Sequence, residues 1–280
     1  MNRYIFGKKG GVAWPAKKKR RRISAISALH YFKLCYRSAL LILAAVVYFM
    51  LVSRGEVDLQ AQLHQFPVIL GLIWVLYVGE MILRFFPSRL ESMGCQKQFR
   101  KNYLPTDNGE RPTRRHRGVW MVVLSWLALN GAIGALYYTG IIDSGILLLI
   151  SLTYAVCDMI CILFFCPFQT WMMKNKCCGS CRIYNWDYAM MFTPLVFIPH
   201  YYTWSLLGIA LLLLLVWECT AHFHPERFSE QCNQSLHCGN CKEKLCHHKT
   251  QLRHFLRTNR DALRLKGNAL LDRAKRKGGG

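Results

Sequence analysis

Blocks of about twenty apolar residues, separated by short polar loops, recur through residues 34–219 of this chain. That pattern constrains the fold more than any other feature. A helix of about 20 apolar residues spans the ~30 Å hydrocarbon layer of a bilayer. The runs are too long for strands and lack the amphipathic stripe of a soluble helix. The expected fold is therefore an all-α integral membrane protein with about six transmembrane helices. Their expected bounds are 34–52, 66–86, 119–138, 146–166, 188–202 and 203–219. The stretch 188–219 is too long for one crossing, and it divides near Tyr201–Thr203. Its first half is short, about 22 Å as a helix, and carries Pro194 and Pro199.

Charge bias sets the orientation, because Lys and Arg accumulate in cytoplasmic segments. Residues 1–37 contain eleven bases and no acid, and residues 87–117 eight bases and three acids. Residues 167–187 have three bases and one acid, and the tail after His222 has thirteen and five. The connecting segments 54–65 and 139–145 each carry one net negative charge. Six crossings place every positive segment on one side, so both termini are expected in the cytoplasm, with a bacterial cytoplasmic membrane as the expected location. The formal charge of +22 would point to nucleic acid in a soluble chain. Here topology accounts for it, and nucleic acid is not an expected partner.

Organisation follows from the same reading. Residues 1–33 form a basic cytoplasmic arm suited to anionic headgroups. Residues 34–223 form the polytopic membrane domain, including a cysteine-bearing cytoplasmic loop at 167–187. Residues 224–248 form a Cys/His-rich cytoplasmic segment. Residues 249–280 read as a basic amphipathic tail helix, with Leu252, Phe255, Leu256 and Leu263 on roughly one face.

The chemistry concentrates in two C-G-x-C turns, Cys178-Gly179-Ser180-Cys181 and Cys238-Gly239-Asn240-Cys241. Glycine lets such a turn aim two sulfurs at one ion, and two turns complete a tetrahedron. The candidate ligands are Cys177, Cys178, Cys181, Cys238, Cys241 and Cys246, with Cys232, His237, His247 and His248 nearby. In a reducing cytosol such cysteines read as metal ligands rather than disulfides. Zinc is the favoured cofactor and an iron–sulfur cluster the alternative. Thiol–disulfide exchange ranks below both, since no βαβ context surrounds either turn. The shared site requires an even number of crossings between the two turns.

Inside the membrane domain Glu80 and Asp158 are candidate functional carboxylates. Arg84, four residues after Glu80, is its expected partner. Asp158 has no basic neighbour in its own span, Glu218 is expected to reach water, and Arg37 to snorkel towards headgroups. Cys157 and Cys161, with the Met172-Met173 and Met190-Met191 pairs, suggest soft-metal handling, although packing is the commoner role for such residues. No facing histidine pair that would ligate haem is evident among His200, His222 and His224. Trp171, Trp186, Trp204 and Trp217 are expected in interfacial belts. Asn233-Gln234-Ser235 matches a glycosylation acceptor that a cytoplasmic location would keep unused.

The expected function is a membrane anchor or regulatory protein whose metal clamps loop to tail and presents a surface to a protein partner; enzymatic activity is not required, and if present it is expected to be redox or electron transfer. An iron–sulfur electron-transfer protein is the alternative. A third reading is an ion or metal transporter using Asp158 and Glu80.

Overall fold

The computed structural model describes residues 25–55, 67–87, 93–106, 116–173 and 181–237. Among the described residues the α-helices are α1 (Ala25–Arg54), α2 (Pro67–Leu83), α3 (Met93–Gln98), α4 (His116–Tyr138), α5 (Ser144–Leu163), α6 (Asp187–Phe192) and α7 (Tyr201–Phe223). Short 3-10 and π turns complete the described chain, and no strand is present among those residues.

Four helical segments are long and apolar enough to cross a membrane: Ser27–Arg54, Gly118–Tyr138, Ser144–Leu163 and Tyr201–Phe223. They point to a membrane protein, as the apolar blocks require. Ile42, Leu43, Val46, Phe49 and Met50 of α1 are exposed, which suits lipid and would be costly in water. Two bounds differ from expectation. The first helix starts at Ala25 rather than residue 34, because Ser27 and His30 are buried within the bundle. The second has 17 residues, about 25 Å as a helix and shorter than the hydrocarbon layer.

Residues 188–202 do not form one span. Instead α6 runs for 6 residues and gives way to a 3-10 turn, Thr193–Phe197. Pro194 accounts for the change, since it lacks an N–H and cannot continue the α-helical ladder. The element survives because it is enclosed. Tyr188, Met191, Phe192, Leu195 and Ile198 are all within the main core cluster. Freed backbone groups find partners: Ser151 Oγ donates to the Met191 carbonyl at 2.9 Å, and Thr193 Oγ1 to that of Ala189 at 2.6 Å. Irregular backbone at membrane depth is tolerated only under such cover.

The α4–α5 hairpin turns at Gly140, whose φ of 76° lies in the left-handed region where a side chain is disfavoured. Asp143 then caps α5, accepting from the Ile146 amide at 2.8 Å, and takes the Tyr48 hydroxyl at 2.8 Å from α1. That cap satisfies an orphan donor and pins α1 along α5.

Contacts along α6–α7 fix its path. Arg84, just past α2, pairs with Asp187 at the start of α6. A Cβ on Gly134, late in α4, would meet the Phe197 ring, and one on Gly71, early in α2, the Tyr202 hydroxyl. Trp74 then donates to Ser205 at 2.8 Å. Finally Arg182, before α6, pairs with Glu218 near the end of α7. The chain between Arg182 and Glu218 therefore runs from one end of the bundle to the other and returns.

Candidate functional site

Charged side chains buried in the bundle come mainly from α1, α2, α5 and the start of α6. Arg37 is fully buried and does not snorkel. Its Nη2 donates to Glu80 Oε2 at 2.8 Å, and its Nη1 to Asp158 Oδ2 and to the Ala155 carbonyl, both at 3.0 Å. Lys33 adds a second cation to Glu80 at 3.2 Å. The hydroxyls of Tyr36 and Tyr188 also donate to Glu80, at 2.6 and 2.7 Å.

Beside this cluster, Arg84 makes a two-pronged pair with Asp187 at 2.6 and 2.5 Å. The expected Glu80–Arg84 pair is thus absent, each residue having a partner from another element. Asp158 likewise has a basic partner, though a distant one in sequence. Arg84 also lies 4.5 Å from the centroid of the Tyr188 ring, and Arg37 5.7 Å from that of Tyr77. Three cations (Lys33, Arg37, Arg84) thus face three carboxylates (Glu80, Asp158, Asp187) and the cluster is neutral. Desolvating a single charge here would cost several kcal/mol, so charge balance is the physical condition for gathering two buried arginines with four half-buried partners.

On the far side of Asp158 and Asp187 lies a cavity of about 470 Å³. Cys157, Cys161, Cys166 and Cys181 line it, together with Met190, Met191 and a wall of aromatic rings. Its volume falls in the range of small-molecule sites. The Cys161 thiol is hydrogen-bonded to Cys166, and the Gln169 amide donates to the Cys166 sulfur at 3.4 Å. Spacing explains the arrangement. Cys157 and Cys161 share a face of α5 at four-residue separation, and the chain leaves α-helical geometry after Leu163 for a π turn, Phe168–Met172. The irregular stretch before the turn carries Cys166, and the turn itself carries Gln169, to the cavity wall. Of the methionines paired with these cysteines by sequence, Met190 and Met191 reach the cavity. Met173 packs instead with Val122, Cys181 and Trp186.

One end of the bundle gathers residues 93–106, 181–186 and 224–237. Glu218 accepts from the Trp186 indole at 2.7 Å and from Arg182 Nε at 3.2 Å, so it is held by protein rather than left to water. Gln98 accepts from Asn185 at 2.9 Å. Asn233 is wholly buried; its Nδ2 donates to the carbonyls of Arg227 and Lys97 at 2.9 and 3.1 Å. The Thr106 amide donates to the Cys232 carbonyl at 3.2 Å and the Gln234 amide to that of Leu104 at 2.9 Å. The segment after α7 is thereby laced to the loop after α2. A buried Asn233 cannot accept a glycan without opening that lacing.

Of the six cysteines proposed as ligands, Cys177, Cys178, Cys238, Cys241 and Cys246 lie outside the described residues, as do His247 and His248. Cys181 is described: it is 4% exposed and borders the cavity. Among the described residues no group of three or more His, Cys, Asp or Glu is placed to hold a metal. Trp171 and Trp204 are exposed, as a belt requires, whereas Trp186 and Trp217 are buried. Trp217 packs edge-on against Phe99 at 5.1 Å, which removes it from the interface. Sequence reasoning missed Arg37 and Asp187 as network members. The signal available was the number of ionisable groups, since a buried carboxylate requires a cation somewhere in the bundle. It also missed the pairing of Cys166 with Cys161, five residues apart and off the α-helical repeat. Compared with protein-family models, with curated proteins and with solved structures, the chain finds no match in any of the three.

Proposed function

We propose that this is a non-enzymatic, multi-pass membrane scaffold. Its two C-G-x-C turns share one structural zinc on the cytoplasmic face and present that face to a protein partner. The observation that carries this reading is the Arg182–Glu218 ion pair. It places the residue following Cys181 beside the end of α7, which leads into the Cys/His-rich segment. The hydrogen bonds joining residues 97–104 to Asn233 and Gln234 bring that segment back over the same end. Cys178, Cys181, Cys238 and Cys241 would supply four thiolates for a tetrahedral site, with Cys177 and Cys246 adjoining. The metal would then tie loop to tail and lower the entropy of both. Transport through Glu80 and Asp158 finds less support, because Arg37 pairs with both carboxylates and Lys33 adds a second cation at Glu80.

The test is metal analysis of the full chain purified in detergent without oxygen. One tightly held zinc and no visible absorption are expected, and Cys178→Ser or Cys238→Ser should each lose the metal. Iron with acid-labile sulfide and a brown colour would replace this reading with the electron carrier. Full metal retention in both variants would refute the shared site.

A further inference from the structure

The Cys161–Cys166 pair and the cavity beside it lie apart from the six-cysteine cluster, apart from Cys181 on the cavity wall, and the proposed scaffold gives them no role. Neither cysteine is in a disulfide, the two thiols are hydrogen-bonded to one another, and both line the cavity of about 470 Å³. Trp126, Tyr154, Phe165, Phe168 and Tyr184 supply flat apolar walls, while Asp158, Asp187 and Gln169 supply polar atoms. The wall is mostly apolar; a planar quinone ring stacks on its flat aromatic rings and can take electrons from the two thiols, which an acyl chain cannot. Such a ring also matches the lining better than a soft metal. Two thiolates around a monovalent ion would leave a net negative charge in a mostly apolar cavity, whereas two thiols and their disulfide are both neutral.

We propose that the cavity binds the head group of a membrane quinone, and that Cys161 and Cys166 form a dithiol that reduces it. In the balanced step two S–H bonds break and one S–S bond forms. The two electrons and two protons pass to the two carbonyl oxygens of the ring, giving quinol and a Cys161–Cys166 disulfide. The Gln169 amide, aimed at the Cys166 sulfur at 3.4 Å, supports negative charge as it develops there. The aromatic rings hold the quinone plane by stacking.

The experiment mixes the reduced full chain, in detergent and without oxygen, with a fully substituted benzoquinone bearing a short alkyl tail. Full ring substitution prevents addition of the thiols to carbon. Quinol is followed by ultraviolet absorbance, and disulfides are located by mass spectrometry of proteolytic peptides. The expected result is one quinol per chain and a peptide joining Cys161 to Cys166 that has lost two hydrogens. Cys161→Ser and Cys166→Ser should each abolish quinol formation, while Cys219→Ser, at an exposed cysteine outside the cavity lining, retains it. Peptide mapping of the unaltered chain is decisive even if a variant folds poorly. No quinol, or a disulfide confined to other cysteines, overturns the proposal. Since neither residue is a proposed zinc ligand, zinc content reports on the scaffold reading separately.

Discussion

Arg37 donates to Asp158 at 3.0 Å although 121 residues separate them in sequence. The same guanidinium holds Glu80 at 2.8 Å, so one α1 side chain ties α2 to α5. A guanidinium suits this position because its planar fork can address two carboxylates in different directions.

Replacing Arg37 with Met leaves Asp158 buried without its counterion. Breaking a buried pair from one side costs about 3–5 kcal/mol, and thermal unfolding in detergent should shift down accordingly. Arg37→Met combined with Asp158→Asn should recover most of the loss, because Lys33 still balances Glu80. An unshifted melting curve for Arg37→Met alone would remove the network from any structural role.

Arg84 and Asp187 should be strongly coupled. Each contributes two short hydrogen bonds to the same pair, and charged bonds of this kind contribute on the order of 2 kcal/mol. A double-mutant cycle with Arg84→Gln and Asp187→Asn should return a coupling energy of that order. Arg84→Lys should not restore stability, since a point charge cannot reproduce the fork.

Two glycines of one helix should respond oppositely to alanine. A Cβ at Gly134 would lie 2.5 Å from Phe197 Cζ. That ring is hemmed in by Tyr137 and Tyr138 at 6.1 and 5.8 Å, so Gly134→Ala should cost about 1–3 kcal/mol. Nothing lies within 4 Å of a Cβ at Gly131, and Gly131→Ala should stabilise by about 0.5–1 kcal/mol through helix propensity. Parallel melting curves check both.

Asn233→Ala should release the segment after α7 from the loop after α2. Two carbonyls lose their donor, a cost of about 1–3 kcal/mol confined to that end of the bundle. Hydrogen exchange should quicken at Leu104, Thr106 and Gln234, while α5 amides remain protected. Faster exchange throughout the bundle would mean the lacing supports the whole fold.

The two ends of the bundle should label from opposite sides of a vesicle. Ile141 sits in the exposed α4–α5 turn and Gln231 in the exposed segment after α7. Cysteines at these positions, identified by peptide mapping after a membrane-impermeant thiol reagent, should react from opposite faces. Reaction from one face would contradict the path of α7.

Much of this architecture was legible in the sequence. The apolar blocks at 119–138 and 146–166 correspond closely to α4 and α5, and the division near Tyr201 matches the start of α7. Asp158 and Glu80 stood out as groups needing partners, and Cys157, Cys161, Met190 and Met191 as potentially cooperating. The partners themselves were hidden. Glu80 and Arg84 satisfy the four-residue helical rule, yet such a pair contributes only ~0.3–0.5 kcal/mol. Once both are buried, each carboxylate must find the cation that best surrounds it, and local spacing no longer decides.

What the sequence determined by itself is the helical, membrane-protein character of the chain and the place of its long apolar helices. Hydrocarbon cannot satisfy a peptide group, so every spanning segment must close its hydrogen bonds locally, and local closure is written in local composition. Tertiary structure alone decided which charges meet, why the interrupted segment 187–197 is tolerated, and what cavity the Cys161–Cys166 pair borders. Those outcomes depend on which helices lie side by side. Packing settles them by balancing buried charge and enclosing irregular backbone, over separations as long as that between Arg37 and Asp158.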